Sequence, residues 1–325
     1  MKIKNLIINK SMKKLYITGG CGYVGSLLIQ KFLEKYNIQN VDTQWFGNKL
    51  TKNKNLINIK DDIRNLKGEF IEKNTYAVIH LANIANDPSV ELDQTLSWEV
   101  NVLAAKNLIE KSIKAGVKKF IYASSGSVYG VKSEMKVTED LDLVPISAYN
   151  KTKMICERLL LSYKDKIDVY IVRPATVCGL SPRMRFDVSV NLLTLQALKN
   201  KKITIMGGSQ TRPNININDM IGVYEHILTN DVEQGVYNAG FENISILDLG
   251  KKIQNKIDCK IEIIESNDPR SYRQCSDKLT DTGFEQKFNV DNAIDEISDA
   301  FYNKNLADDD SCYTVKWMKN KVLNG

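Results

Sequence analysis

Residues 18–25, T-G-G-C-G-Y-V-G, connect an apolar stretch to an amphipathic one, and this connection decides the fold. The residues over 15–18 predict a β-strand, and those over 22–36 predict a helix with one apolar face. Gly19, Gly22 and Gly25 keep a three-residue spacing, which lets the backbone turn tightly and approach a pyrophosphate at the N-terminus of the helix. A glycine-rich turn alone is weak evidence, since any tight strand–helix connection can contain one.

The same alternation of strand and helix continues along the first half of the chain. Periodic stretches predict helices over 93–115, ended by Gly116, and over 148–163. Strands and helices that alternate at this spacing form a parallel sheet covered by helices on both faces. We therefore predict an α/β protein with a Rossmann-type, doubly wound parallel sheet. Its further strands are expected over 38–42, 56–59, 77–82, 119–123 and 169–172.

An acidic residue ends the second predicted strand. Asp42 follows Gly25 by seventeen residues, where a carboxylate can accept hydrogen bonds from both ribose hydroxyls and repel a 2′-phosphate. Together with the glycine turn, Asp42 predicts binding of NAD rather than NADP. The segment D-D-I-R, 61–64, is a candidate rim for the adenine, with a solvated charged turn as the alternative.

Beyond Arg173 the pattern becomes irregular, with short strands expected over 202–205, 214–217 and 260–264. This part predicts a smaller C-terminal domain at the open end of the sheet. We expect residues 1–180 to form the NAD-binding domain, with 1–11 as an extension and 214–240 returning to it. Residues 181–325 are then mainly the substrate domain.

The composition argues against several classes of protein. The chain has 325 residues, a net charge of +6 and no apolar run long enough for a membrane helix. Its six cysteines are scattered without a C-x-x-C pair, and it has two histidines, so neither a metal site nor a disulfide framework is expected. No aromatic-interleaved basic stripe suggests nucleic-acid binding. The N-terminus has no signal-peptide pattern, and we expect a cytoplasmic protein.

Tyr149 and Lys153 lie four residues apart at the start of a predicted helix, and therefore on one face of it. Tyrosine, with a pKa near 10, is a poor base, but a neighbouring ammonium and a positive nicotinamide ring favour the phenolate. The pair can then take a proton from an alcohol while a hydride leaves its carbon. Ser125, just after the strand over 119–123, can hold the reacting oxygen, whereas Ser124 is more simply a turn-capping residue.

Several motifs resemble, in order and spacing, those of the extended short-chain dehydrogenase/reductases that act on nucleotide sugars. The resemblance covers nearly the whole chain from Met12 and rests on TGGCGYVG, Asp42, DDIR, HLAN, NVLAAKNLIEKS, SSGSVYG, YNKTK, RPATVCG, TRPNININDM, VYNAG and DPRSYR. It implies that Ser125, Tyr149 and Lys153 are catalytic. It also implies a homodimer, formed through the Tyr149 helix and the long helix before it, or a homotetramer.

The same resemblance implies two sets of binding residues. Contacts to a nucleotide-sugar substrate are implied for Ser125, Ser127, Arg212 and Arg270, the two arginines holding the diphosphate, with Arg273 as a weaker candidate. Contacts to NAD are implied for Gly19, Gly22, Tyr23, Val24, Gly25, Asp42, Asp62, Ile63, Leu81, Ala82, Tyr149, Lys153, Pro174 and Thr176.

Members of this family differ in the fate of the sugar once C4 has been oxidised. Epimerases return the hydride to the other face of the keto sugar. The 4,6-dehydratases resemble one another in having Glu, often Asp-Glu, directly after the catalytic Ser or Thr. Here those positions are Gly126 and Ser127, which argues against a dehydratase unless another loop supplies the acid. A 4-epimerase remains, as does a dehydrogenase that stops at the 4-keto sugar and must reoxidise its NADH.

Three strings resemble a subgroup of bacterial capsule and surface-polysaccharide enzymes that includes a GDP-manno-heptose 4-dehydrogenase. They are TQWFGN, SPRMRFDVSVN and NDPRSYR. We therefore expect NAD-dependent C4 oxidation of a GDP-heptose or GDP-hexose. The alternative is a 4-epimerase, and a 4,6-dehydratase or a non-catalytic NAD-binding regulator is less favoured. We expect the loop over 181–190 to select the sugar. Cys178, in place of a more usual Tyr, is interpreted as a packed thiol, with proton transfer as its other role.

Overall fold

The computed structural model describes residues 12–66, 70–266 and 271–322, so the expected extension over 1–11 lies outside the described residues. Its strands are β1 Lys14–Thr18, β2 Asn37–Asp42, β3 Leu56–Lys60, β4 Thr75–His80, β5 Lys119–Ala123, β6 Asp168–Pro174, β7 Thr176–Cys178, β8 Lys202–Met206, β9 Thr211–Asn216, β10 Gly235–Ala239, β11 Glu242–Ser245 and β12 Lys260–Ile264. Seven of them form one parallel sheet in the order β10-β6-β5-β4-β1-β2-β3. The predicted Rossmann-type α/β fold is confirmed.

The apolar runs of the sequence become the centre of this sheet. Leu15, Tyr16 and Ile17 of β1 are completely buried, because a parallel strand covered by helices on both faces has no side toward water. The strand order reverses direction at β1, which pairs with β2 on one side and β4 on the other. In open sheets of this type the crevice for a ligand lies at the carboxyl ends of the strands around that point.

Helices cover both faces of the sheet and join the strands. They are α1 Tyr23–Phe32, α2 Asp87–Val90, α3 Gln94–Trp98, α4 Ala104–Lys114, α5 Ala148–Leu161, α6 Ser189–Asn200, α7 Ile217–Thr229, α8 Ile246–Lys256, α9 Asp277–Thr280, α10 Val290–Tyr302 and α11 Thr314–Trp317. Short 3₁₀ turns span Gly126–Tyr129 and Asp310–Cys312, and π-helical turns span Glu99–Leu103 and Met318–Val322. Among the described residues, no helix is both long and apolar enough to cross a membrane.

Two predicted helices differ in detail from the observed ones. The helix expected over 93–115 is divided into α3 and α4 by the π-helical turn, although Asp93 caps its start by accepting from the Leu96 amide. The helix expected over 22–36 ends at Phe32. Tyr36 instead closes a turn by donating its amide to Phe32 O at 2.9 Å, which directs the chain into β2.

The later part of the chain forms a second layer beside the sheet. β9 pairs antiparallel with β11 and parallel with β7, while β8 and β12 form a separate parallel pair. The strand expected over 214–217 is longer at its start, and Ile217 already belongs to α7. β10 leaves this layer and pairs with β6 in the main sheet.

Candidate active site

The glycine-rich turn borders a cleft of about 800 Å³ at the carboxyl ends of the parallel strands. Gly19 has a φ of 77°, and its amide donates to Val41 O at 2.9 Å. A Cβ on Gly19 would lie 2.5 Å from the Ala82 amide nitrogen, and one on Gly25 would lie 2.4 Å from Gly19 O. α1 begins beside this turn without a side-chain cap. Its first amides are therefore suited to bind an anion such as a pyrophosphate.

The structure brings most of the expected cofactor residues to the wall of this cleft, but not all. Ala82, Asp42, Asp62 and Ile63 do not line the cleft. Asp62 is bound by Arg64, whose Nη2 donates to Oδ2 at 2.8 Å. The expected residues that do line the cleft are Gly19, Gly22, Tyr23, Val24, Gly25, Leu81, Tyr149, Lys153, Pro174 and Thr176.

Asp42 is tied to the glycine turn. One carboxylate oxygen accepts from the Cys21 amide at 2.9 Å and the other from the Gln44 amide at 2.6 Å. Burial raises the pKa of Asp42, while these two amides act in the opposite direction. Trp45 and Phe46, which follow on the same loop, line the cleft. This end of the cleft therefore presents two aromatic rings, which fit an adenine base, and the Asp42 carboxylate lies behind its wall at the start of the same loop.

Ser125, Tyr149 and Lys153 meet where β5 and α5 adjoin the cleft. Ser147 caps α5 by accepting from the Asn150 amide at 3.1 Å, so the first two turns of α5 present Tyr149 and Lys153 on one face. The Ser125 hydroxyl lies close enough to the Tyr149 phenol to lower the pKa of Tyr149. Lys153 Nζ donates to Ala123 O at 2.6 Å and lies 5.8 Å from the centroid of the Tyr149 ring.

The electrostatics of Tyr149 depend mainly on burial and on an arginine. Burial raises the pKa of Tyr149 to about 12, and the charge of Arg185 and the nearby Ser125 hydroxyl oppose that rise. Burial lowers the pKa of Lys153 to about 8. The sequence indicated Lys153 as the cation beside the phenol, but Arg185 has the largest charge effect that favours the phenolate.

Ser124 has a structural role. It is 3% exposed, and its hydroxyl donates to Glu157 Oε1. Glu157 forms a buried ion pair with Arg173, whose Nη2 lies 2.7 Å from Oε2. Ser124 therefore joins the end of β5 to α5 and β6, and although it borders the cleft beside Ser125, its hydroxyl is directed to Glu157.

A smaller cavity of about 190 Å³ continues from Ser125 on the side away from the glycine turn. Ser127 Oγ lies 2.8 Å from Ser125 Oγ and donates to Asn150 Oδ1 at 2.5 Å. Arg212 and Asp87 also line this cavity. The carboxylate of Asp87, which accepts from Ser147 Oγ, was not anticipated, because its motif N-D-P-S predicts only a helix cap.

Two arginines of the segment 181–190 also line the main cleft. Arg185 Nε donates to Asp187 Oδ1 at 2.8 Å, and Arg183 lies with its guanidinium carbon 4.1 Å from the centroid of the Phe46 ring. From the sequence, this segment is expected to select the sugar. The string S-P-R-M-R-F-D shows that the segment contains charged residues, but it does not show that their side chains point into the cleft.

Three remaining candidates have other positions. Cys178 is completely buried, burial raises the pKa of its thiol, and the thiol lies 3.5 Å from Ile215 O, which matches a packed thiol. Arg273 lines neither cavity, and its carbonyl accepts from the Val137 amide at 3.2 Å. Arg270 lies outside the described residues. Within residues 12–66, 70–266 and 271–322, no group of His, Cys, Asp and Glu side chains is arranged to hold a metal ion.

Comparison with known proteins places these features in context. Residues 15–240 match the model of the NAD dependent epimerase/dehydratase family. A Bacillus subtilis protein described as an uncharacterized UDP-glucose epimerase is 30% identical over 260 residues, which cover 74% of this chain and 81% of the relative. The dTDP-D-glucose 4,6-dehydratase of Dictyostelium discoideum is 29% identical over 276 residues, which cover 75% of this chain and 62% of that relative. The structure of the UDP-glucuronic acid 4-epimerase of Bacillus cereus, in complex with UDP-glucuronic acid and NAD, is 27% identical and superposes with a TM-score of 0.78 over 90% of this chain and 99% of that one.

Proposed function

The chain belongs to the NAD dependent epimerase/dehydratase family, and from this premise we propose that it is a nucleotide-sugar 4-epimerase. The observation that carries the proposal is the meeting of Ser125, Tyr149 and Lys153 in one cleft, where Gly126 and Ser127 follow the serine. The epimerases among the relatives favour this activity over the C4 oxidation of a GDP-heptose that the sequence strings suggested.

The residues of the chain divide the reaction between them. Ser125 donates to the C4 oxygen of the sugar and holds it near Tyr149. The Tyr149 phenolate takes the hydroxyl proton as C4 is oxidised and returns it when C4 is reduced, so the proton balance closes within one cycle. NAD, when bound, accepts the hydride from C4 and returns it. Lys153 keeps its ammonium next to the phenol by donating to Ala123 O.

The Tyr149 phenolate must be stabilised, because the pKa of Tyr149 is raised to about 12, mainly by burial. The charge of Arg185 and the Ser125 hydroxyl stabilise the phenolate. A positive nicotinamide ring in the cleft would act in the same direction. The substrate diphosphate is assigned to Arg212 of β9, because Arg212 lines both cavities and its guanidinium fork suits phosphate oxygens. UDP is the favoured nucleotide, by likeness to the UDP-sugar epimerases above.

The position of Asp87 makes a dehydratase the second candidate activity, and it can be tested. A 4,6-dehydratase needs an acid and a base near C5 and C6, and the Asp87 carboxylate lines the cavity beside Ser125 and Ser127. The mass of the product separates the activities. The purified enzyme is incubated with UDP- and GDP-sugars, and the products are analysed by mass spectrometry while nicotinamide absorbance is followed.

A product of unchanged mass and altered chromatographic mobility is expected. A product lighter by two hydrogens, with accumulation of NADH, would replace the epimerase with the 4-dehydrogenase. Loss of water would replace it with a dehydratase and make Asp87 the first residue to test.

The role of Tyr149 is tested separately from the identity of the product. Tyr149→Phe removes the group that moves the proton, and we expect turnover to fall by roughly 10²–10⁴-fold while NAD binding is retained. Tyr163→Phe, just beyond the end of α5, is the matched control and should keep wild-type turnover. Near-normal turnover by Tyr149→Phe would exclude this residue as the base.

A further inference from the structure

We propose that Arg183 binds the dinucleotide, donating hydrogen bonds to the pyrophosphate of NAD from the segment that packs on the first turn of α1. This inference rests on NAD binding in the proposed function, but not on which sugar reaction occurs. The glycine turn supplies the expected pyrophosphate contacts from one side of the cleft. Arg183 adds a charged contact from the segment that the sequence predicts to bind the sugar.

The segment that carries Arg183 is fixed to the start of α1 by several hydrogen bonds. Tyr23 OH donates to Gly179 O at 2.7 Å, and Ser181 Oγ donates to Tyr23 O at 2.6 Å. The Arg183 amide donates to Ser26 Oγ at 3.3 Å. Because these contacts all involve the first turn of α1, they place Arg183 beside the helix N-terminus where a pyrophosphate is expected.

The side chain of Arg183 has unused hydrogen-bonding capacity inside the protein. It is 4% exposed, its Nη2 donates to Thr314 Oγ1 at 3.2 Å, and its Nε is buried without a hydrogen-bond partner among the described residues. Its guanidinium lies over the Phe46 ring, and Arg183 lines the cleft. A buried guanidinium with an unpaired N–H is costly unless a ligand supplies the acceptor.

The charges around Arg183 favour an anion at this point. Burial is the main cause that lowers the pKa of Arg183 to about 10, and the neighbouring Arg185 lowers it further. The carboxylates of Asp187 and Asp42 and the Cys312 thiol oppose this shift. Asp187 is already paired with Arg185, and Asp42 already accepts two amides. A bound anion would therefore relieve both the desolvation and the repulsion between the two guanidinium groups.

The position along the cleft identifies the anion. Asp42 marks the ribose end, and Tyr149, Lys153 and Arg185 mark the reacting end. Arg183 lies beside the first turn of α1 and is close enough to interact electrostatically with both Asp42 and Arg185. The group of a dinucleotide that carries negative charge between its two ribose rings is the pyrophosphate.

A series of ligands tests the assignment directly. The binding of NAD, ADP and adenosine to the NAD-free protein is measured by calorimetry for the wild type and for Arg183→Met. A charge-assisted hydrogen bond corresponds to a weakening of roughly 10- to 100-fold. We expect that loss for NAD and ADP, which carry a diphosphate, and unchanged affinity for adenosine. Arg158→Met, an exposed arginine on α5, is the matched control and should bind all three normally.

Arg183→Lys keeps the charge but loses the guanidinium fork, and we expect it to bind NAD and ADP with intermediate affinity. It also serves if Arg183→Met does not fold. Equal weakening of adenosine and ADP would show that Arg183 acts at the ribose or on the fold, and unchanged affinity for all three ligands would remove it from the site. Either result overturns the proposal. These binding measurements do not depend on which sugar product is formed. Failure of the Arg183 proposal can therefore be distinguished from failure of the proposed epimerase activity.

Discussion

Tyr149 lies among charges of both signs, and Arg185 is the one that most favours its ionised form. Asp87 and Tyr272 act in the opposite direction. Arg185 also pairs with Asp187, so removing the guanidinium both deletes a positive charge and leaves a carboxylate without that partner. Both changes raise the pKa of the phenol.

We therefore predict that Arg185→Met shifts the acid side of the kcat/KM pH profile to higher pH and lowers the rate near pH 7. The measurement is the rate of epimer formation across pH 6–10. Arg185→Lys should restore part of the shift, because it returns the charge. An Arg185→Met profile that falls in height without moving along the pH axis would mean that Arg185 positions the substrate and does not tune Tyr149.

Lys153 is predicted to reduce the stability of the fold below about pH 8. Its pKa of about 8 in the folded protein lies below the ordinary value of 10.5, so the unfolded chain binds more protons between these values and the free energy of unfolding rises with pH. Below pH 8, burying the protonated Lys153 lowers the free energy of unfolding by about 3 kcal/mol. Lys153→Met removes this cost but loses the bond to Ala123 O, which is worth on the order of 1 kcal/mol.

Lys153→Met should therefore stabilise the NAD-free protein at pH 7 by about 2 kcal/mol, and the gain should disappear by about pH 10.5. Urea unfolding at both pH values measures the difference. Lys151→Met, exposed on the same helix, should show no such pH dependence. A gain of the same size at both pH values would show that burial does not shift the pKa of Lys153.

The residues that could be predicted from the sequence are those whose role depends on local spacing. Gly19, Gly22, Gly25, Tyr149 and Lys153 lie on one connection or one helix face, so their positions follow from the element that carries them. Arg183 and Arg185 reach the cleft from a loop, and Asp87 reaches the smaller cavity from the short helix α2, so all three positions depend on long-range packing. Their motifs give charge but no direction, which is why the sequence assigned the two arginines to sugar selection.

At the level of the element, the connection between β1 and α1 makes a different demand on each glycine. A Cβ on Gly25 would lie 2.6 Å from Gly20 Cα as well as close to Gly19 O, so the backbone would have to move. A Cβ on Gly22 has only Gly19 O nearby, at 3.2 Å, and Gly22 lines the cleft. The missing side chain of Gly22 therefore leaves space for the ligand, whereas the missing side chain of Gly25 allows α1 to pack closely against the end of β1.

We predict that Gly22→Ala weakens NAD binding by roughly tenfold or more with little change in the Tm of the NAD-free protein. Gly25→Ala should lower that Tm by several degrees, since a backbone clash costs on the order of 1–3 kcal/mol. Calorimetric titration and thermal unfolding measure the two effects. Gly116→Ala, at a positive φ with open space around it, is a control for strain alone. An equal decrease in Tm for Gly22→Ala and Gly25→Ala would contradict the assignment of Gly22 to ligand binding and Gly25 to packing.

The strands and helices of the main sheet could be predicted from the sequence. Its strands are apolar runs because they are buried between two layers of helices, and its helices have one apolar face that packs on the sheet. The π-helical turn over Glu99–Leu103 could not be predicted, since it adds one residue to a helix turn without changing the apolar pattern. It places Asn101, completely buried, where its side-chain oxygen accepts from the Ile84 amide at 2.9 Å in the loop that ends at Asp87. That contact depends on tertiary packing.

At the level of the whole molecule, the cleft lies between a regular sheet and an irregular second layer. The sheet follows from alternation along the chain, but the second layer pairs strands that are far apart in sequence, such as β7 with β9 and β8 with β12. Such pairs leave no periodic signal. The substrate side of the site was therefore predictable only through family resemblance.

The outer surface of α5 and of the π-helical turn presents apolar side chains to solvent, and we predict that a second copy covers them. Leu103 is 57% exposed and Ile155 38% exposed, on segments that pack against each other. Apolar groups that cluster on the helices of a soluble protein favour an interface, and this face coincides with the dimer expected by resemblance. The double variant Leu103→Asp/Ile155→Asp should therefore turn a wild-type dimer or tetramer into a smaller species in light scattering. Ile57→Asp, an equally exposed side chain on β3 at the far edge of the sheet, should leave the mass unchanged. A monomeric wild type, or a double variant that keeps the wild-type mass, would place the interface elsewhere or remove it.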